Sequence, residues 1–282
     1  MSAPPTGVDP RRTARARVAG GGRGAAFTLT EVLVVMACIA LLLALALPAV
    51  SKVLQKSRGA HCSANLRQMH VAATAYSTTY AERLPPAILY FKRPAGIETA
   101  AWDWVQSPGG IVTPGALWLF SGNPERVQQC PEFLGASTFG SDPFTGYNYN
   151  TTFLGAEGTF PQYAADGTLL DGWKTARPGL PAASLRRTSE TAIFADGGWK
   201  GGANKFMRAP LNTVEGNLSM IYAGGQAFRH AGACNCAYLD GHCAAPRAPQ
   251  EGAHATPALL GAIMAFPRNG FLSQDDAAYD PR

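Results

Sequence analysis

A chain of 282 residues that is 46% hydrophobic and holds 31 Gly and 21 Pro suits one membrane segment and one loop-rich globular domain, not two large domains. Its formal charge of +5 is concentrated at the start, where Arg11, Arg12, Arg15, Arg17 and Arg23 face a single acid, Asp9. The remainder is nearly neutral, which argues against a basic phosphate-binding surface and so against a nucleic-acid partner.

Residues 1–26 read as a basic leader. From Phe27 to Val50 the one charged residue is Glu31, and about 20 apolar residues suffice to cross a hydrocarbon core of ~30 Å. Two rivals compete with a transmembrane helix over 27–50. One is a buried helix of a soluble protein. The other is a cleaved secretory signal, whose apolar region spans only about 7–15 residues before a small-residue cleavage site. Ala44-Leu45-Ala46 offers such a site, but apolar residues continue to Val50. A carboxylate near the bilayer centre costs ~2.5 kcal/mol or more, and less toward an end, so Glu31 needs a partner. Thr28-Leu29-Thr30-Glu31 predicts a capping box, with the acid at the positive end of the helix dipole. The leader arginines favour a cytoplasmic N-terminus, although Lys52, Lys56 and Arg58 beyond the helix weaken that asymmetry. Pro48 removes a backbone donor and should kink the helix.

The run AAFTLTEVLVVMACIALLLALALP resembles the N-terminal signature of type IV prepilins and type II secretion pseudopilins: a small residue, then F-T-L-x-E, then a continuous apolar helix. The resemblance implies cleavage between Ala26 and Phe27 by a prepilin peptidase that also methylates the new Phe27 terminus. It further implies that Glu31 neutralises the terminal amine of a neighbouring subunit during assembly. Ala26 departs from the family, which usually has Gly before the cut.

Residues 51–84 continue as an amphipathic extension, with Cys62, Leu66, Met69, Ala73, Tyr76 and Tyr80 at helical spacing. Helix is expected from Thr28 to about Tyr80, stopped by Pro85-Pro86. The stretch 61–86 resembles a branch of prepilin-like proteins that read C-x-x-N-L-[KR]-Q, then Tyr, then Pro-Pro; Cys62, Asn65, Leu66, Arg67, Gln68, Tyr80, Pro85 and Pro86 match. Residues 85–245 read as a β-rich globular periplasmic domain. Ala87 to Phe91, Gly115 to Phe120, Thr191 to Phe194 and Cys234 to Leu239 are predicted as short strands between Gly, Pro, Asn and Asp clusters. Tyr147-Asn148-Tyr149-Asn150 reads as core strand and turn or as an aromatic sugar-binding ladder. The segment 246–282 reads as an Ala/Pro-rich tail with a turn or two of helix at Leu259 to Phe266 and a frayed polar end. The expected fold class is α+β and, on the resemblance, pilin-like: one long N-terminal helix packed on a small antiparallel sheet.

FRHAGACNCAYLDGH places nine residues between His230 and Asp240-Gly241. It resembles the H-x9-DG signature near the C-terminus of the same branch, where a further His, here His242, is usual. The residues predict a hairpin in which His230 and Asp240 staple the outer end by a hydrogen bond. Joint cation binding or catalysis stay open, although no G-x-S-x-G elbow accompanies them. Asp196-Gly197-Gly198 and Asp240-Gly241 are candidate calcium contributors without a D-x-D-x-D-G loop. Five cysteines lie outside the apolar run, and an oxidising compartment would pair them with one left over. Cys62 with Cys130 and Cys236 with Cys243 are the expected disulfides; three cysteines with His230 or His242 could instead hold zinc, or the thiols could be free. No cofactor is required.

Taken together these readings describe an inner-membrane, single-pass, non-enzymatic subunit. Its partners would be a prepilin peptidase/methyltransferase and other pilin-like subunits, and its product a type II secretion pseudopilus or type IV pilus-like fibre. The alternative is a membrane-tethered periplasmic binding module, for polysaccharide or another ligand, that uses the helix only as an anchor.

Overall fold

The computed structural model describes residues 27–121, 129–133, 146–155, 162–163, 169–171, 178–200, 202–211, 218–265 and 268–282. Ala26 and the basic leader lie outside them. The fold class is α+β: a long N-terminal helix, α1 (Leu29–Thr79), followed by β-sheets. The chain divides into two compact units, Met1–Val50 and Ser51–Arg282.

In the first unit α1 starts as the capping-box reading requires. The Thr28 hydroxyl accepts from the Glu31 amide at 3.3 Å, and the Glu31 carboxylate accepts from the Thr28 amide and hydroxyl, both at 2.8 Å. Every residue from Phe27 to Val50 is exposed. The helix is long and apolar enough to cross a membrane, and none of its most apolar window is buried within the protein. A run of Val, Leu, Ile and Met left open to this extent demands an apolar environment of some kind.

In the second unit the helix becomes one-sided. Cys62, Asn65, Leu66, Met69, Ala72, Ala73 and Ser77 are buried, at the three- and four-residue steps that gather one helical face. Tyr76 is half-buried and Tyr80 exposed, so the core-facing stripe fades before its predicted end. The helix also stops earlier than the prolines demand: Ala81 and Glu82 both adopt positive φ, at 52° and 56°, which breaks the helical ladder ahead of Pro85.

Strands β1 (Ile88–Arg93), β2 (Gly96–Ala101), β3 (Trp104–Gln106) and β4 (Val112–Pro114) form an antiparallel meander. The run Gly115 to Phe120, expected as a strand, is instead a 3-10 helix over Ala116–Phe120. It tucks Leu117 and Trp118 into the core while Leu119 stays exposed, a spacing that an alternating strand would not give. The larger sheet contains β5 (Tyr147–Asn150), β8 (Ala192–Asp196), β9 (Phe206–Met207), β11 (Cys236–Tyr238) and β12 (Cys243–Ala244) in the order β12-β11-β8-β5-β9. It is mixed rather than purely antiparallel, because β5 and β9 run parallel. Small two-stranded pairings join β6 (Gln162–Tyr163) to β7 (Leu169–Asp171) and β10 (Gln226–Ala227) to β13 (Asn269–Gly270).

Both faces of the five-stranded sheet are covered. On one, Cys62, Leu66 and Met69 of α1 meet Trp102, Tyr149, Phe194 and Ala237; burying Leu66 and Met69 fully contributes about 1.5–3 kcal/mol each. On the other, Ala195 and Cys236 meet Tyr222, Met264, Phe271 and Tyr279. The YNYN run is therefore core strand, not a sugar ladder: Tyr147 and Tyr149 are buried against α1. On the same strand, Asn148 donates to the Gly225 carbonyl at 3.0 Å, and Asn150 to the Ala192 and Tyr279 carbonyls at 2.9 and 2.8 Å. A helical turn does form at Pro257–Leu259 and runs on through Leu260–Met264; Phe266 lies outside the described residues. The expected frayed end is corrected here. Phe271 and Tyr279 are wholly buried, and the Pro281 carbonyl accepts from the amides of Arg186 and Arg187. Two aromatic rings among polar neighbours suffice to pin the segment, because each buries a large apolar area.

Candidate functional site

Four side chains from four distant parts of the sequence converge beneath α1. Cys62 comes from the buried helix face. Cys130 precedes Pro131 in a short turn. Asp196 is the last residue of β8, and His230 stands in a tight turn closed by reciprocal backbone bonds with Ala233. Their thiol, carboxylate and imidazole donor atoms all lie within 4.8 Å of one another, and all four residues are buried. The Cys62 thiol donates to Asp196 Oδ1 at 3.1 Å, Cys130 Sγ lies 3.4 Å from His230 Nε2, and that nitrogen is 3.2 Å from Asp196 Oδ2.

A second set of groups holds the first. The Asn235 amide donates to Asp196 Oδ2 at 2.7 Å, and the Asn235 side chain donates to the Gly59 carbonyl of α1 at 3.3 Å. Glu132 Oε2 lies 3.0 Å from His230 Nδ1, close enough for an ion pair though not aligned as a hydrogen bond. Arg229 stacks its guanidinium 5.0 Å over Phe133 and adds positive charge beside Cys130.

The electrostatics separate the two thiols. Burial pushes the Cys62 thiol up, reinforced by its neighbours Cys130 and Asp196. Cys130 is drawn down to about 6, first by the neighbouring Cys62 thiol, whose effect outweighs burial, with help from His230 and Arg229. Burial alone would push His230 down, but hydrogen bonds to Asp196 and Cys130, and their charges, lift it to about 10. These directions favour a proton on Cys62 and on His230 over one on Cys130. Such a group could serve as an activated nucleophile or as a donor set for a soft metal. Among the described residues Cys62 and Cys130 are wholly buried, so neither sulfur is open to solvent.

The cysteine expectations resolve differently. No two of the six cysteines are joined by a disulfide in the structure. Cys62 and Cys130 are brought together as the resemblance implied, yet they share their position with Asp196 and His230. Cys236 and Cys243 are not: Cys236 pairs with Ala244 and Ala237 with Cys243, so the two thiols leave opposite faces of the sheet. The neighbour Cys236 does find is Cys234, with the sulfurs 3.7 Å apart.

The predicted bond between His230 and Asp240 is corrected too. Asp240 lies in the turn between β11 and β12, where its carboxylate accepts from the His242 amide at 3.1 Å and sits 2.6 Å from His242 Nδ1. The His242 ring stacks on Tyr238 with centroids 4.4 Å apart. His230 and Asp240 instead mark the two ends of a grip on α1. At one end Asn235 bonds the Gly59 carbonyl, and a Cβ at Gly59 would lie 3.7 Å from His230 Nδ1; at the other a Cβ at Gly241 would lie 3.1 Å from the His70 ring, whose Nε2 lies 3.0 Å from the Leu239 carbonyl. Calcium does not suit Asp196, which faces sulfur and imidazole rather than a cage of oxygens. Glu132 and Asn235 were not singled out in the sequence; the run Cys130-Pro131-Glu132 and the Asn between Cys234 and Cys236 were the only signals available. Neither a protein-family model, nor a curated protein, nor a solved structure matches this chain.

Proposed function

We propose that this protein is a prepilin-like structural subunit, anchored in the inner membrane by the helix from Phe27 to Val50 and carrying its β-rich domain on the periplasmic side. In this reading a prepilin peptidase cuts between Ala26 and Phe27 and methylates Phe27. Other pilin-like subunits then bundle around the apolar helix to build a type II secretion pseudopilus or type IV pilus-like fibre. The observation that carries the reading is Glu31, held in a local box with Thr28 at the start of an entirely exposed apolar helix. A box with Thr28 leaves the carboxylate charged, and a neighbouring subunit's terminal amine would neutralise that charge in a bilayer. The role needs no catalytic residue, in keeping with the closed cluster beneath α1.

Intact mass and N-terminal sequencing of the protein isolated from membranes test the reading. The expected product begins at N-methylated Phe27, and Glu31→Ala is expected to insert normally but lose subunit crosslinking. A chain beginning after Ala46 would mean an ordinary signal peptide and overturn the proposal. An uncut, membrane-bound chain that never crosslinks would favour the tethered binding module.

A further inference from the structure

We infer that Cys62, Cys130, Asp196 and His230 form a structural zinc site that fastens α1 to the five-stranded sheet. Zinc binds about 2.3 Å from thiolate sulfur and about 2.0–2.2 Å from nitrogen or carboxylate oxygen, so a tetrahedral ion holds its donors roughly 3.3–3.8 Å apart. Cys62 Sγ lies 3.1 Å from Asp196 Oδ1, Cys130 Sγ 3.4 Å from His230 Nε2, and that nitrogen 3.2 Å from Asp196 Oδ2; with one donor atom taken from each residue, the four lie within 4.8 Å of one another, so a modest inward shift closes the shell. Two sulfurs, one imidazole and one carboxylate match the softness zinc accepts, and neither calcium nor magnesium suits such a set.

The surroundings fit a closed site. All four donors are buried, as in structural zinc centres, which keep no open position. His230 presents Nε2 to the cluster while Glu132 stands at Nδ1, the carboxylate-histidine arrangement that orients metal-binding imidazoles. Asp196 is oriented in turn by the Asn235 amide. A Cys62–Cys130 disulfide would use the same sulfurs but leave the convergence of Asp196 and His230 on them without a purpose. Zinc takes both sulfurs as thiolates and His230 through a neutral Nε2, so whatever protons those atoms carry are released on binding. The inference is independent of how the membrane helix assembles.

The test uses the full-length chain, extracted in detergent without reductant or chelator and loaded with zinc sulfate. Metal analysis after dialysis is expected to give one zinc per chain, and cobalt replacement to give sulfur-to-cobalt charge-transfer bands with the visible spectrum of a tetrahedral ion. Cys62→Ser should weaken those bands by removing one of the two sulfur ligands, and Glu132→Gln should weaken zinc binding by about 10–100-fold. Cys243→Ser, outside the cluster, should change neither. If Cys62→Ser does not fold, the cobalt spectrum of the unaltered chain and the Glu132→Gln affinity decide. A wild-type chain that retains no zinc, a Cys62–Cys130 disulfide found by peptide mapping, or cobalt bands of unchanged intensity in folded Cys62→Ser would each overturn the inference.

Discussion

Replacing Gly241 by alanine should destabilise the domain by about 1.5–3.5 kcal/mol, and replacing Gly232 by alanine by appreciably less. Both glycines adopt left-handed backbone, with φ of +89° and +81°, so each substitution incurs about 1–2 kcal/mol of backbone strain. Their surroundings differ. A Cβ at Gly232 meets nothing within 4 Å, whereas one at Gly241 would lie 3.1 Å from His70 Cε1 and 3.3 Å from its Nδ1. The ring must give way, loosening its bond to the Leu239 carbonyl, which adds about 0.5–1.5 kcal/mol. The assay is urea unfolding of the detergent-solubilised chain, followed by tryptophan fluorescence, since Trp102, Trp104 and Trp118 are all buried. Equal losses for the two variants would refute the view that the Asp240-Gly241 turn grips α1.

Two further outcomes follow from the core. Lys205 and Asp103 form a buried ion pair, so Lys205→Met, which removes that pair from the core, should destabilise the domain by up to about 3–5 kcal/mol in the same unfolding assay. The double variant with Asp103→Leu should recover much of that loss. A chain truncated after residue 267 removes Phe271 and Tyr279 from the core; it should expose the second face of the sheet, bind a hydrophobic dye and lose its cooperative unfolding transition.

The parts of the fold governed by local pattern were legible in the sequence. The capping box, the buried face from Cys62 to Ala73 and the strands near residues 88, 147, 192 and 236 all follow from spacing or from alternation between turn residues. What escaped was set by tertiary context. Gly115 to Phe120 is apolar enough for a strand, and only its packing against the meander makes it 3-10. The end of the chain looks polar because its two aromatic rings, Phe271 and Tyr279, are set among polar residues, some of which, such as Asn269, are themselves buried. The candidate site was half-readable. Its cysteines and His230 stood out, but a one-dimensional motif invites pairing of its own two ends, and the fold sends His230 to Asp196 and Asp240 to His242 instead. Register decided the fate of Cys236 and Cys243, since neighbouring positions along a strand point to opposite faces.

The grip on α1 also bears on force. Gly59 and His70 are held at points about 16 Å apart along the helix axis, one by Asn235 and His230, the other by Leu239 and Gly241. A single contact would let a helix under axial load swivel or slip by a turn. Two contacts flanking β11 forbid both, because a slip would carry Cys62 from Asp196 and His70 from Leu239 together. Tension applied to the helix is thus delivered to the central strands of the sheet, where it is shared by adjacent ladders instead of peeling an edge.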